Sequence, residues 1–152
     1  RLAAAERLRP WARIGRDREF ADLLWRIGRD YRQQAGDYAT ALTHHEEARR
    51  FDPDYPANLV GLMESYFMVG RSGEAHDVSV ALVAQGYPTP ARALRAAIQC
   101  ALEAARYPAC LQHAEAYLTL RSQDRQIRSL AEHLRSGRDP EPLKRLFSRG
   151  DP

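Results

Sequence analysis

The stretch Leu23–Leu42, LLWRIGRDYRQQAGDYATAL, decides how the rest of the chain is read. Its first half places Leu24, Ile27, Gly28 and Tyr31 on one face of a helix, because residues three and four apart are neighbours there. Gly36 interrupts the pattern, and Tyr38 and Ala41 open a second helical run. The spacing then repeats. Leu24-x-x-Ile27-Gly28-x-x-Tyr31 recurs as Leu59-x-x-Leu62-Met63-x-x-Tyr66, and more loosely as Leu94-x-x-Ala97-Ile98-x-x-Ala101. Gly36 and Gly70 lie 34 residues apart, as do Ala41 and Ala75. A short turn follows each copy (QAGDY, MVGRS, EAARY), and after it comes a helix keyed by a small residue, Ala41, Ala75 or Cys110. A period of this length marks helix pairs that must stack, since no single pair buries its apolar face alone.

The pattern resembles the tetratricopeptide repeat, W-x2-L-G-x2-Y followed by A-x3-F and then A and P over about 34 residues. In the first copy Leu24 takes the aromatic slot, with Trp25 one place out of register. Ile27, Gly28, Tyr31, Gly36, Tyr38, Ala41, Ala48 and Pro53 fill the rest, with one residue inserted before the turn. The second copy keeps Leu59, Leu62, Tyr66, Gly70 and Ala75, the third mostly the pattern of sizes, and the likeness runs from about Phe20 to Leu120. It implies an all-α fold, a tetratricopeptide-type α-solenoid of about three helix pairs over residues 20–55, 56–88 and 89–121.

Capping segments are expected at both ends. Residues 1–19, with Leu2, Ala5, Leu8, Trp11 and Ile14 at helical spacing and Pro10 as a kink, are expected to cap the first repeat or mediate self-association. Residues 122–152 are expected to hold a capping helix opened by Ser122 and stopped by Gly137, then a short tail helix from Asp139-Pro140. The stripe Ile127, Leu130, Ala131 and Leu134 lies on one face, Arg125, Arg128, Glu132 and Arg135 make a polar outer face, and the tail helix carries Leu143, Leu146 and Phe147. Asp52-Pro53 ends one helix, and Thr89-Pro90 starts another as N-cap and first-turn proline. Gly28 and Ala41 are expected to let two antiparallel helices approach closely.

Composition narrows the function classes. The chain has 152 residues, 44% of them apolar and 28% charged, with a net charge of +3. Lys144 is the one lysine among 23 basic residues, a habit of arginine use expected of a GC-rich genome. Acids are spread through most of the chain, so no concentrated basic face points to nucleic acid. No apolar run reaches the ~18 residues that a membrane span needs. A cytoplasmic protein is expected, with the periplasm left open because the chain starts at Arg1. Cys100 and Cys110 read as two buried thiols, with a disulfide between facing helices as the alternative.

The segment THHEEARRFDPDYP, Thr43–Pro56, has the look of an active site. On a helix, however, His44 and His45 point about 100° apart, and a helical metal pair needs a spacing of three or four. His76, His113 and His133 fall on other helices, and neither a phosphate-cradling glycine loop nor a nucleophile elbow is present. No enzyme activity, metal or cofactor is expected. His45 reads as a neutral packing residue in the slot of a large aromatic. His44 and Glu47 are expected to face outward, and Glu46 to pair with Arg50.

In tetratricopeptide arrays the first helix of each pair lines a concave groove. By resemblance the groove positions are Asp22, Trp25, Arg29 and Arg32, then Val60, Glu64, Phe67 and Met68, then Arg92, Arg95, Gln99 and Leu102. Packing between repeats is the alternative for Trp25 and Phe67. Arginine forks suit peptide carbonyls and carboxylates, and apolar pockets suit alternate side chains of an extended segment. Three repeats with flanking helices also resemble the class II chaperones of type III secretion. LLWRIGRDYRQQAGDYATAL is similar to their first repeat, with Trp25 and Tyr38 at groove positions; YPTPARALRAAIQCALEAARYPACLQHAEAYL is similar to their third, and SQDRQIRSLAEHL to their closing helix. That likeness implies a translocator segment as the partner and homodimerisation through the N-terminal helix. The basic pI, near 9.1, departs from that mostly acidic family. A scaffold or regulatory arm of a larger protein is the alternative function.

Overall fold

Aspartates, a threonine and prolines set where the helices begin. The structure, a computed structural model, describes residues 17–148, apart from the side chains of Leu146 and Ser148. Of the capping segment expected over residues 1–19, the first sixteen lie outside them, and residues 17–19 belong to the first described helix. Every element among the described residues is helical: α1 Asp17–Asp30, α2 Tyr38–Phe51, α3 Pro56–Met68, α4 Ser72–Gln85, α5 Pro90–Glu103, α6 Tyr107–Leu120, α7 Arg125–Arg135 and α8 Glu141–Ser148. Asp37 caps α2, accepting from the Thr40 amide at 3.0 Å. Thr89 caps α5 through the Arg92 amide at 3.2 Å, with Pro90 in the first turn. Each cap satisfies an amide that has no partner within its helix.

The one-residue insertion in the first copy has a structural counterpart. Between α1 and α2, residues Tyr31–Ala35 form a π-helical turn, closed by Gly36 with φ of 62° donating its amide to the Tyr31 carbonyl. A widened turn of this kind absorbs an extra residue without breaking the flanking helices. Gly70 takes the same left-handed conformation after α3, with φ of 83°. In the third copy Ala105 stands there instead, with φ of 55°. Its Cβ makes this conformation unfavourable by roughly 1 kcal/mol.

The chain divides into two compact units, Arg1–Ala81 and Leu82–Pro152. In the first, α2 packs on both α1 and α3, and α1 on α3. Phe20, Ala21, Leu24 and Ala48 form a buried cluster with Phe51 and Tyr55 against it, and the rings of Phe20 and Phe51 meet edge to face at 4.5 Å. In the second unit, α6 packs on α5, α7 on α6 and α8 on α5. Its core joins Leu94, Ile98 and Leu102 of α5 to Cys110, Ala114 and Tyr117 of α6 and to Ile127, Leu130 and Ala131 of α7.

His45 lies at the centre of the first unit and is completely buried. A Cβ added to Gly28 would come within 2.9 Å of the ring, and one added to Gly61 within 2.5 Å. Gly28 therefore admits the imidazole of α2 where the two helices pack together. Asn58 donates from Nδ2 to the His45 carbonyl at 2.9 Å, and its Oδ1 lies 2.8 Å from His45 Nδ1. That oxygen can only accept, so Nδ1 carries the proton. Nε2 is buried without a hydrogen-bond partner. Burial therefore pushes the pKa down to about 4, with Arg32 and His44 adding to the shift and the Asn58 bond opposing it. His45 is neutral in the folded protein, as its place in the repeat predicted.

Several local expectations are corrected. His44 does not face outward: it is 3% exposed and stacks on Tyr31 at 5.5 Å, because α2 is covered on two sides. Glu47 is half-buried and it, not Glu46, pairs with Arg50, at 2.9 Å. Glu46 instead accepts from the Tyr66 hydroxyl at 2.8 Å, which ties α2 to α3. The cap of α7 is Asp124, not Ser122; its Oδ1 accepts from the Ile127 amide at 3.1 Å. A carboxylate gains additionally from the positive end of the helix. Both cysteines are free, which excludes the disulfide alternative, and burial pushes each thiol up to about 12.

Acid is expected to weaken the first unit through His45. Above pH 6.5 the ring is neutral in both states; as pH falls towards 4 the unfolded chain takes up a proton that the native ring refuses. Stability should drop by about 2–3 kcal/mol between pH 7 and pH 4.5, measured by urea titration, and His45→Gln should remove that share. Gly61→Ala should destabilise by about 1–2 kcal/mol at neutral pH, overpacking outweighing helix propensity, and should become neutral or stabilising in a His45→Ala background. Ala105→Gly should stabilise by about 1 kcal/mol in thermal denaturation of the full chain.

Candidate functional site

Successive first helices, α1 and α3, pack side by side in the first unit and carry most of the expected groove residues. Trp25 projects half-buried from α1. Its ring meets Tyr55 edge to face at 5.8 Å, and the Arg29 guanidinium lies over it at 5.2 Å. Tyr55 is the residue before Pro56, the first residue of α3. Chain reversal through Asp52-Pro53 brings it back to α1, where its hydroxyl donates to Asp22 at 2.7 Å. Burial and this bond push the Tyr55 pKa up to about 12, so the phenol stays a donor. The sequence reading missed Tyr55; the available signal was an aromatic residue immediately before the proline that opens α3.

The arginines on this face are already engaged. Asp22 pairs with Arg26 at 2.8 Å, and Arg29 with Asp30 at 3.1 Å. Arg32 lies in the π-helical turn beyond α1, where the inserted residue falls, and forms an ion pair with Glu64 of α3. Its side chain is only 12% exposed and its Nε has no hydrogen-bond partner. Burial lowers the Arg32 pKa; Arg29 adds to this, while Tyr38, at the start of α2, opposes it. Glu64 is about half exposed. Thus Arg29, Arg32, Tyr38 and Glu64 gather around the end of α1, with Trp25 beside Arg29.

The C-terminal end of α3 is the apolar part of the face. Phe67 is half-buried, Met68 is 55% exposed and Val69 is 37% exposed, while Val60 is half-buried further back on the helix. Phe67 and Met68 thus present apolar surface to solvent without belonging to the buried core.

The remaining expected residues fall in the second unit. Arg95 of α5 bonds Asp124 at 3.0 Å and Gln126 at 3.3 Å, tying α5 to the start of α7. Arg92 and Gln99 are exposed. Leu102 is 1% exposed and belongs to the core, so it offers a ligand no open surface.

Among the described residues, no group of three or more histidines, cysteines or acids is placed to hold a metal ion. Among them too, no helix is long and apolar enough to cross a membrane. What the α1–α3 face presents is donor forks balanced by acids, two rings at an angle, and an apolar end.

No protein-family model matches the chain, and no curated protein matches it. Solved structures do. The first TPR of Spaghetti (RPAP3), bound to the HSP90 peptide SRMEEVD, has a TM-score of 0.60 at 18% identity, covering 77% of this chain and 91% of that one. The first TPR domain of human RPAP3, solved by NMR, has a TM-score of 0.58 at 16% identity, covering 86% and 97%. At these identities the likeness is one of fold. The chain has the all-α tetratricopeptide-repeat fold that the recurrence of Leu24, Tyr31, Gly36 and Ala41 as Leu59, Tyr66, Gly70 and Ala75 implied.

Proposed function

We propose that this chain is a non-catalytic module that binds an extended peptide or protein segment, and that Trp25, Arg29, Arg32, Glu64, Phe67 and Met68 form the binding face in its first unit. The observation that carries the reading is the half-buried Trp25 ring of α1 beneath the Arg29 fork, on the same face as the half-buried Phe67 and exposed Met68 of α3. Arginine and tryptophan are the usual anchors of such interfaces, and an extended segment offers carbonyls to the forks and side chains to the apolar end. A structure of the same fold holding the HSP90 peptide SRMEEVD supports it further. Because each arginine already has an acidic neighbour, a ligand exchanges one ion pair for another, and selectivity rests mainly on what fills the apolar end.

The sharper form of the proposal is a chaperone of type III secretion that holds a translocator segment. It rests on the resemblance of the stretches around Trp25, Tyr38 and Cys100 to that family. Its test is co-expression with an apolar translocator subunit: the subunit should be soluble only beside the chain, and a subunit soluble alone removes the chaperone role.

The broader reading is tested by screening the full chain against an array of extended peptides and titrating the best by fluorescence polarisation. Trp25→Ala should weaken binding by about tenfold or more, roughly 1.4 kcal/mol, with the helical circular dichroism unchanged. Undiminished affinity in Trp25→Ala overturns the assignment of this face.

A further inference from the structure

The third repeat departs from the exposure pattern of the second. Leu102 stands 35 residues after Phe67, and Glu103 35 after Met68. Phe67 is half-buried and Met68 is 55% exposed, yet Leu102 is 1% exposed. In the second unit α8 packs on α5. Leu143 and Phe147, one turn apart on α8, lie against the cluster that joins Leu94, Ile98 and Leu102 of α5 to residues of α6 and α7. Lys144, beside Leu143, reaches Glu103 at the end of α5 at 3.4 Å and Glu141 at 3.6 Å. The tail helix thus sits on the first helix of the third pair, near the positions that are ligand-facing by register.

We propose that the α5 surface beneath α8 is a docking surface for a short amphipathic helix, and that α8 is its built-in occupant. The partner that fits has the chemistry of α8 itself: two apolar residues one turn apart, with a base beside the first that reaches Glu103. A helix of eight residues does not hold its form alone in water, so α8 is helical because it is docked. Its tether gives it a high effective concentration, and a free segment of like sequence competes only when α8 lets go. The surface lies wholly within the second unit, and the inference stands whether or not the α1–α3 face binds peptide.

The probe is a fluorescein-labelled peptide of residues 139–148, DPEPLKRLFS, titrated against the full chain by fluorescence polarisation. Against a Leu143→Asp/Phe147→Asp variant, in which α8 is released, it should bind about tenfold or more tighter than against the unaltered chain. Adding Glu103→Arg to that variant should weaken binding roughly fivefold, and a peptide carrying Lys144→Glu should recover it. Equal affinity for the unaltered and released chains, or indifference to Glu103→Arg, overturns the proposal. If the double variant does not fold, the full chain with Glu103→Arg alone decides. Faster hydrogen exchange confined to α8 supports a displaceable helix, whereas loss of protection through α5, α6 and α7 together overturns it.

Discussion

The imidazole of His45 lies where the side chains of Gly28 and Gly61 would otherwise be, and the first unit is organised around that contact. Glycine inside a helix costs about 1 kcal/mol relative to alanine, so both helices carry a penalty that only close packing of the ring offsets. The ring must also be neutral, because it is completely buried and its Nε2 has no hydrogen-bond partner to offset the loss of hydration that a charge would suffer. Asn58 completes the arrangement by answering both the ring and the backbone of His45, which locks α3 to α2 in one register. A pair of adjacent histidines that looks catalytic is therefore a packing device, and its neighbour His44 is a second one, stacked on Tyr31.

A second constraint comes from the inserted residue. Widening the turn after α1 leaves Arg32 off the regular helix, where its guanidinium is buried against Glu64 of the next first helix. The ion pair is only half-shielded, because Glu64 is about half exposed, and it links α1 to α3 across the candidate binding face. The same face keeps Arg26 beside Asp22 and Arg29 beside Asp30. Its charge is thus locally balanced, and the basic character of the whole chain says little about what this surface prefers.

The second unit is built with ordinary aliphatic packing. Ile98 occupies the register of Gly28 and Met63, and the Cys110 thiol is spent on the Ile98 carbonyl at 3.6 Å. Asp124 gathers the Ile127 amide, the Tyr117 hydroxyl and Arg95, so one carboxylate starts α7 and ties it to α5 and α6. These interactions explain how a copy that retains so little of the repeat pattern still forms a helix pair.

Much of this was legible in the residues alone. Recurrence of Leu24, Tyr31, Gly36 and Ala41 as Leu59, Tyr66, Gly70 and Ala75 determined the all-α repeat fold, since periodicity and turn residues are local properties. Thr89-Pro90, Asp52-Pro53 and Gly137 marked helix ends for the same reason. The neutral, packed role of His45 followed from its place in that pattern. What tertiary structure alone decided involves residues far apart in the chain: Gly61 and Asn58 closing on His45, Tyr55 returning to Trp25, Glu64 meeting Arg32, and Lys144 reaching Glu103. A helical pattern states which face of a helix is apolar, but not which second helix covers a neighbouring position. That is why His44 and Leu102, one place off the expected stripe, are buried by helices whose approach no local spacing encodes.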